Sequence, residues 1–224
     1  MHDGLQFTDR REAGHTLARL LAGYLDATDA VVLALPRGGV PVGFEVARTL
    51  RLPLDVLVVR KIGVPGQEEY AMGAIASGGV RVANPDVADL RIPAAAVEEA
   101  TQREAREVER REKRYRGDRP ALDVARRTVI LVDDGMATGS TMRAAVRAVR
   151  ERDPKRIVVA VPIASAEACE AMREEADEVI CALTPRPFIA VGMWYSRFDQ
   201  TSDEEVRRLL DLAGAQASAR RATS

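Results

Sequence analysis

Cysteine, histidine, net charge and long apolar runs are all scarce in this chain of 224 residues, and each scarcity removes a class of function. The only cysteines, Cys169 and Cys181, have neither CxxC nor metal-ligand spacing, which predicts two buried thiols rather than a zinc or redox motif. The two histidines, His2 and His15, lie near the N-terminus, away from any other candidate chemistry. They predict surface or capping roles and leave too few imidazoles for a histidine triad or a zinc site. Acidic and basic residues number 34 and 33, so no strong field draws the protein to nucleic acid or to an acidic membrane. No apolar run reaches the ~18 residues needed to cross a bilayer, and the charged first residues contain no signal core. The chain therefore predicts a soluble, cytoplasmic protein. Its length suits one α/β domain, with or without a small hood, and buries a full core without metal or disulfide staples.

What is present alternates. Leu17, Leu20, Leu21, Tyr24 and Leu25 recur at helical spacing, predicting an amphipathic helix over 9–25. Short continuous apolar runs at 30–35, 54–59, 128–132, 156–161 and 178–183 read as strands buried on both faces. Helices predicted over 40–50, 141–152 and 166–176 lie between them, and strands alternating with helices indicate a parallel sheet with right-handed crossovers. Residues 62–85 carry Gly63, Gly66, Gly73, Gly78 and Gly79, predicting a mobile excursion with short strands near 71–76 and 80–83. Residues 94–116 form a long charged helix in which Glu99, Glu107, Glu109 and Glu112 each precede a base by four positions, most simply a solvated face. A last helix is predicted over 202–212, and 214–224 as a frayed tail.

The chemistry concentrates in VILVDDGMATGST, residues 129–141. An apolar strand delivers Asp133 and Asp134 at its C-terminal end, where a parallel sheet presents ligands. Small and hydroxylated residues follow, then a helix begins, and backbone N–H groups at a helix N-terminus form an anion site without needing a lysine. Thr138, Ser140 and Thr141 add hydroxyls, and Gly139 permits close approach of the backbone. Carboxylates at one edge and phosphate donors at the other suit a sugar phosphate. A plain strand–turn–helix would need only one capping residue. The spacing lacks the lysine of a GxxxxGK[ST] loop, and the segment from Arg37 to Gly43 does not match GxGxxG.

The strand, acidic pair and ATGST turn resemble the signature of type I phosphoribosyltransferases. The resemblance runs over about 31–206. It implies a doubly wound, parallel-sheet α/β core with a flexible loop and a small C-terminal hood. The expected organisation is a single domain over 1–213, with a hood built from N-terminal and C-terminal segments, the latter near 185–200. The resemblance further implies that Asp133 and Asp134 contact the ribose diol and that Ala137, Thr138, Gly139, Ser140 and Thr141 cradle a 5′-phosphate. The LPRGG segment is similar to the family's pyrophosphate loop, often held in a strained peptide geometry, with Arg37 and Gly38 at the leaving pyrophosphate; Gly39 reads equally as a simple turn glycine. Arg60 and Lys61, with Gly63 and Pro65, resemble the start of the flexible loop of adenine-type members, also facing pyrophosphate. Glu69 and Tyr70 are similar to an acidic–aromatic pair of that loop, although Val64 and the Gly66-Gln67 insertion depart from the pattern.

The implied reaction transfers ribose 5-phosphate from 5-phosphoribosyl-1-diphosphate to a nitrogen acceptor, such as a nucleobase, with pyrophosphate release. Mg²⁺ would be held mainly by ligand oxygens near Asp133 and Asp134, with no all-protein cage. Ala137 stands where 6-oxopurine enzymes carry an acid, and no lysine follows the 156–161 strand, so the acceptor is unassigned. Phe188, Val191, Trp194 and Tyr195 are the base-binding candidates, with each aromatic taken singly reading rather as core under the last helix. The family implies a homodimer. Two other readings stay open: a non-catalytic sensor of the same ligand, and a nucleotide-binding α/β domain of another kind.

Overall fold

The computed structural model describes residues 6–84 and 92–222. Five parallel strands form the central sheet: β1 (Ala30–Ala34), β2 (Leu54–Val56), β6 (Thr128–Val132), β7 (Arg156–Ile163) and β8 (Glu178–Leu183), in the order β2-β1-β6-β7-β8. Successive side chains of a strand face opposite ways. Val31, Leu33, Val129 and Leu131 thus pack towards α4 (Ser140–Arg150) and α5 (Ala166–Met172). Val32, Ile130, Val132 and Val158 pack towards α1 (Arg10–Leu20) and α2 (Gly39–Leu50). Both faces are covered, which is why these strands are continuous apolar runs rather than alternating ones. Met142, Ala145, Val146 and Val149 give α4 its buried stripe at helical spacing.

From β1 the chain turns outward to β2, and from β6 it turns the other way to β7 and β8. The neighbouring strands β1 and β6, in register from Ala30 against Thr128 to Ala34 against Val132, are therefore the point where the winding reverses. Open α/β sheets bind ligands in the crevice outside such a reversal.

Several sequence expectations change here. The strand predicted over 54–59 divides: β2 stops at Val56, and Val59 opens β3 (Val59–Val64) in a second sheet. The glycine-rich stretch is an antiparallel sheet of β3, β4 (Gln67–Ala76) and β5 (Val80–Ala83). Three of its glycines make turns, Gly66 at φ 80° closing the first hairpin and Gly78 and Gly79 at φ 81° and 75° the second, while Gly63 and Gly73 lie within β3 and β4. Lengthening of β4 escapes the sequence because the polar 67–70 stretch lacks alternation. The charged helix α3 (Ala94–Arg116) is more than a solvated face. Ala100, Glu104, Val108 and Tyr115 are buried, the apolar ones packing with Val206, Leu209 and Leu210, while Glu107 pairs with Arg111 and Glu112 with Arg116 as expected.

Helix α6 (Asp203–Ala222) continues past 214, so the expected frayed tail is helical through Ala222. The cysteines are corrected too: Cys169 and Cys181 form a disulfide, because α5 returns the chain alongside β8 and brings residues 12 apart in sequence together. His15 of α1 lies 3.7 Å from Glu45 of α2, and His2 lies outside the described residues. No helix among the described residues is long and apolar enough to cross a membrane.

Candidate functional site

Two turns meet at the reversal between β1 and β6. The turn at 36–39, with a cis peptide between Pro36 and Arg37, leaves β1, and the carboxylates of Asp133 and Asp134 leave β6. Leu35 N–H donates to Val132 O at 2.9 Å and Gly39 N–H to Leu35 O at 3.0 Å, fixing one turn against the other. A Cβ on Gly39 would lie 2.8 Å from the Asp133 Cα and from Val132 O, and one on Gly38 would overlap the Asp134 carboxylate. Both glycines are therefore required by close approach, and Gly39 is more than a turn residue.

The acidic pair is held without saturation. Asp133 Oδ1 accepts the Asp134 N–H at 2.8 Å, and Asp134 Oδ2 accepts Arg10 Nε–H at 2.8 Å. Burial, then the neighbouring Asp134 charge, pushes the Asp133 carboxyl well above the usual carboxylate range. Burial also raises Asp134, against the opposing pull of Arg10. Tyr195 O–H donates to Asp134 O at 2.6 Å, and burial together with the Asp134 charge raises its own phenol.

Arg10 is the residue that sequence reasoning missed. Asp9 caps α1 by accepting the Arg11 and Glu12 N–H groups, and this sets the first turn of the helix against the site. The Arg10 guanidinium donates through Nη1 to Asp199 O at 2.6 Å and lies 4.0 Å from the Phe198 ring centroid. Phe198 in turn stacks on Tyr195 at 5.0 Å. Nothing in the local sequence links Arg10 to a carboxylate 124 positions away.

Beyond the acids, Met136 N–H donates to Ile163 O at 2.8 Å and Ser165 Oγ–H to Ala137 O at 2.7 Å, clamping the loop onto the β7–α5 junction. Gly139, at φ 74°, starts α4 with no side-chain cap. Thr138 Oγ1 and Ser140 Oγ lie 3.1 Å apart, and Ala137, Thr138, Ser140 and Thr141 are exposed around the buried Gly139. Thr138 Oγ1 accepts the Ser140 N–H at 3.4 Å, and the helix N-terminus beside these exposed hydroxyls is suited to an anion.

The other predicted residues scatter. Arg37 Nη1 lies 4.0 Å from Asp203 Oδ1 at the start of α6. Arg60 is closed on Glu104 of α3 at 2.9 Å, while Lys61 faces a cleft bordered by Thr138 and Ser140. Tyr70 is exposed, and the Glu69 side chain lies outside the described residues. Trp194 and Tyr195 are buried with Phe7 and Ile163, so their faces are covered by protein; Phe188 and Val191 are half-buried at the edge of that cluster. Among the described residues no group of three or more His, Cys, Asp or Glu side chains gathers to hold a metal.

Against known proteins, residues 5–193 match the family model described as the phosphoribosyl transferase domain. The chain belongs to the type I phosphoribosyltransferase family. It is 48% identical over 208 residues to a Mycobacterium tuberculosis H37Rv protein named "Putative phosphoribosyl transferase Rv0571c", covering 92% of this chain and 47% of that one. The chain thus spans about half the length of the curated relatives it matches. The crystal structure of TT1426 from Thermus thermophilus superposes with a TM-score of 0.82 at 45% identity, covering 92% of this chain and 97% of that one. A hypothetical protein from Neisseria gonorrhoeae with bound ppGpp shares the fold alone, with a TM-score of 0.51 at 15% identity, covering 93% and 96% of the two chains. The phosphoribosyltransferase core of the family accounts for the parallel sheet and the flanking helices.

Proposed function

We propose that this phosphoribosyltransferase is a working enzyme that transfers ribose 5-phosphate from 5-phosphoribosyl-1-diphosphate to a nitrogen acceptor, a nucleobase, with release of pyrophosphate. The observation that carries the reading is the contact of the 36–39 glycine turn with Asp133 and Asp134 beside the N-terminus of α4. The reacting unit is the segment 1–213, and the bridge between Phe7 and Tyr195 supports a hood made from both chain ends.

The roles follow from charge. Ala137, Thr138, Gly139, Ser140 and Thr141 hold the 5′-phosphate through backbone N–H groups, hydroxyls and the α4 dipole. Asp133 and Asp134 accept hydrogen bonds from the ribose hydroxyls. As the bond to the anomeric carbon breaks, positive charge develops on the sugar ring and negative charge on the departing diphosphate. Preorganised carboxylates favour the first, and Arg37 with the Gly38 backbone favours the second. Arg10 donates to Asp134 and opposes the rise that burial gives its carboxyl. Phe188 and Val191, half-exposed beside the acidic pair's strand exit, border the acceptor; Trp194 and Tyr195 support it from below.

Mg²⁺ fits this donor set as a ligand-borne ion: it prefers oxygen ligands and retains several from water and phosphate, and this site offers two carboxylates but, among the described residues, no protein cage. Bound there, it would draw charge from the leaving diphosphate. A homodimer of cytoplasmic enzyme completes the proposal.

Calorimetric titration with 5-phosphoribosyl-1-diphosphate, with and without Mg²⁺, tests the site. Mg²⁺-dependent binding that Asp134→Asn weakens, followed by pyrophosphate release with a pool of purines, pyrimidines and small amines, supports the enzyme. Tight binding with no release for any acceptor replaces it by a sensor. No binding by folded protein removes the reading altogether.

A further inference from the structure

Arg37, the leaving-group arginine of the proposed transfer, is held differently from the other arginines around the site. Arg10 is hydrogen-bonded to Asp134 at 2.8 Å, and Arg60 to Glu104 at 3.0 Å. The Arg37 guanidinium makes no hydrogen bond among the described residues, and its one ion pair there is with Asp203 of α6, 4.0 Å away. That separation is beyond hydrogen-bond range. Attraction therefore acts on the side chain while its donors stay free for a ligand.

Asp203 is itself fixed from two sides. Tyr115 O–H donates to its Oδ1 at 2.8 Å, and Arg114 Nε pairs with its Oδ2 at 2.8 Å. Tyr115 is buried, and burial, followed by the Asp203 hydrogen bond, pushes its phenol up to about 12, so it remains a donor at neutral pH. Ser202 Oγ accepts the Glu205 N–H at 3.1 Å and anchors the first turn of α6, which carries the acid. Both carboxylate oxygens are thus committed to α3, and Asp203 acts on Arg37 as a stationary charge rather than as a partner that a ligand must displace.

We propose that Asp203 is a positioning residue that orders the Arg37 side chain for the leaving diphosphate without occupying its donors. The inference rests on the proposed function, which supplies the diphosphate. An arginine loses rotamer freedom when it clamps a ligand, and an acid that orders it beforehand reduces that loss. Two effects of the acid compete. Its negative charge repels a diphosphate, whereas its ordering of Arg37 favours one. Arg114 already offsets the charge from 2.8 Å, so the ordering prevails.

The test titrates inorganic pyrophosphate and ribose 5-phosphate separately, with Mg²⁺, into the full chain. Asp203→Asn should weaken pyrophosphate binding about fivefold, as loss of order in one arginine side chain predicts, and leave ribose 5-phosphate binding unchanged. In an Arg37→Ala background the same substitution should have no further effect, and Asp203→Glu should restore part of the loss. Tyr115→Phe removes one of the two contacts that fix Asp203; it should weaken pyrophosphate about twofold, and it decides the matter should Asp203→Asn fail to fold. Pyrophosphate binding that is tightened or unchanged by Asp203→Asn overturns the proposal and leaves the transferase reading standing, tightening being what simple removal of a negative charge gives. Equal weakening of both ligands, or weakening that persists without Arg37, also overturns it in favour of a purely structural acid. A wild-type protein that binds no pyrophosphate sinks the transferase reading and this inference with it.

Discussion

Two buried arginine–aspartate pairs sit in this molecule with nearly the same chemistry and different surroundings. Arg116 and Asp55, 10% and 7% exposed, close α3 onto the end of β2 at 2.8 Å. Asp55 also accepts the N–H groups of Val56 and Leu122, and Arg116 adds Glu112 and Val56 O. Arg10 and Asp134, 12% and 15% exposed, meet at the same 2.8 Å. There the second acid, Asp133, accepts only the Asp134 N–H among the described residues, and both carboxyls are raised by burial. The first pair spends its hydrogen-bonding capacity on the protein; the second keeps lone pairs for something else. Burial of an ion pair is therefore not what marks the site. Incomplete satisfaction beside a required glycine turn is.

The comparison predicts opposite responses to substitution. The largest effect belongs to the saturated pair: Arg116→Met strands Asp55 and should cost about 3–5 kcal/mol of stability. At ~2–4 °C per kcal/mol for a chain of this size, thermal unfolding should shift down by roughly 6–20 °C, with ligand affinity of the folded fraction unchanged. A shift of only a degree or two would erase the contrast. Next comes Gly38→Ala, whose Cβ overlaps the Asp134 carboxylate; displacing the turn should weaken 5-phosphoribosyl-1-diphosphate binding about 100-fold in calorimetry.

Arg10→Met should lower kcat/KM about tenfold, since a single opposing charge is lost from a partly buried carboxyl. Without Arg10, Asp134 rises further, so the acid limb of the pH–rate profile should move to higher pH, and Arg10→Lys should return it part of the way. An unmoved limb would make Arg10 merely structural. The smallest effect has the opposite sign. Burial raises Asp133 in the folded state above its unfolded value, so its contribution to stability is full at low pH and is lost as pH rises through the folded value. Asp133→Asn should thus stabilise the protein by about 1 kcal/mol at neutral pH. That gain should shrink as the pH is lowered, which thermal unfolding across pH can follow.

Much of the candidate site is legible in the sequence because it is contiguous. The strand at 128–132, Asp133 and Asp134, the hydroxyl-rich loop and the helix after it form one local device, and the structure places β6 and α4 there. The glycine turn at 36–39 is equally visible, as a strand ending in a glycine pair. Other features depend on contacts between distant segments. Arg10 reaches Asp134 across 124 positions, and Ser165 clamps Ala137 across 28. Arg60 lies beside Lys61 in sequence, yet Glu104 draws it to α3 while Lys61 faces the α4 cleft. In the hairpin sheet the strands near 71–76 and 80–83 are visible in sequence, but β3 and the pairing of all three into one sheet are not, because the glycines announce turns more loudly than short strands announce partners.

By itself the sequence determined the parallel α/β core, because strands buried on both faces must be continuous apolar runs and helices between them must repeat near 3.6. It also determined where the acids and the hydroxyl-rich loop sit, since both lie at the end of one such strand. Only the tertiary structure decided which arginine pairs with the acids, that the two cysteines pair, and that Trp194 and Tyr195 are buried, with Tyr195 donating to Asp134 O. Those outcomes depend on which distant surfaces are buried together, and burial, unlike periodicity, is not written in any one segment.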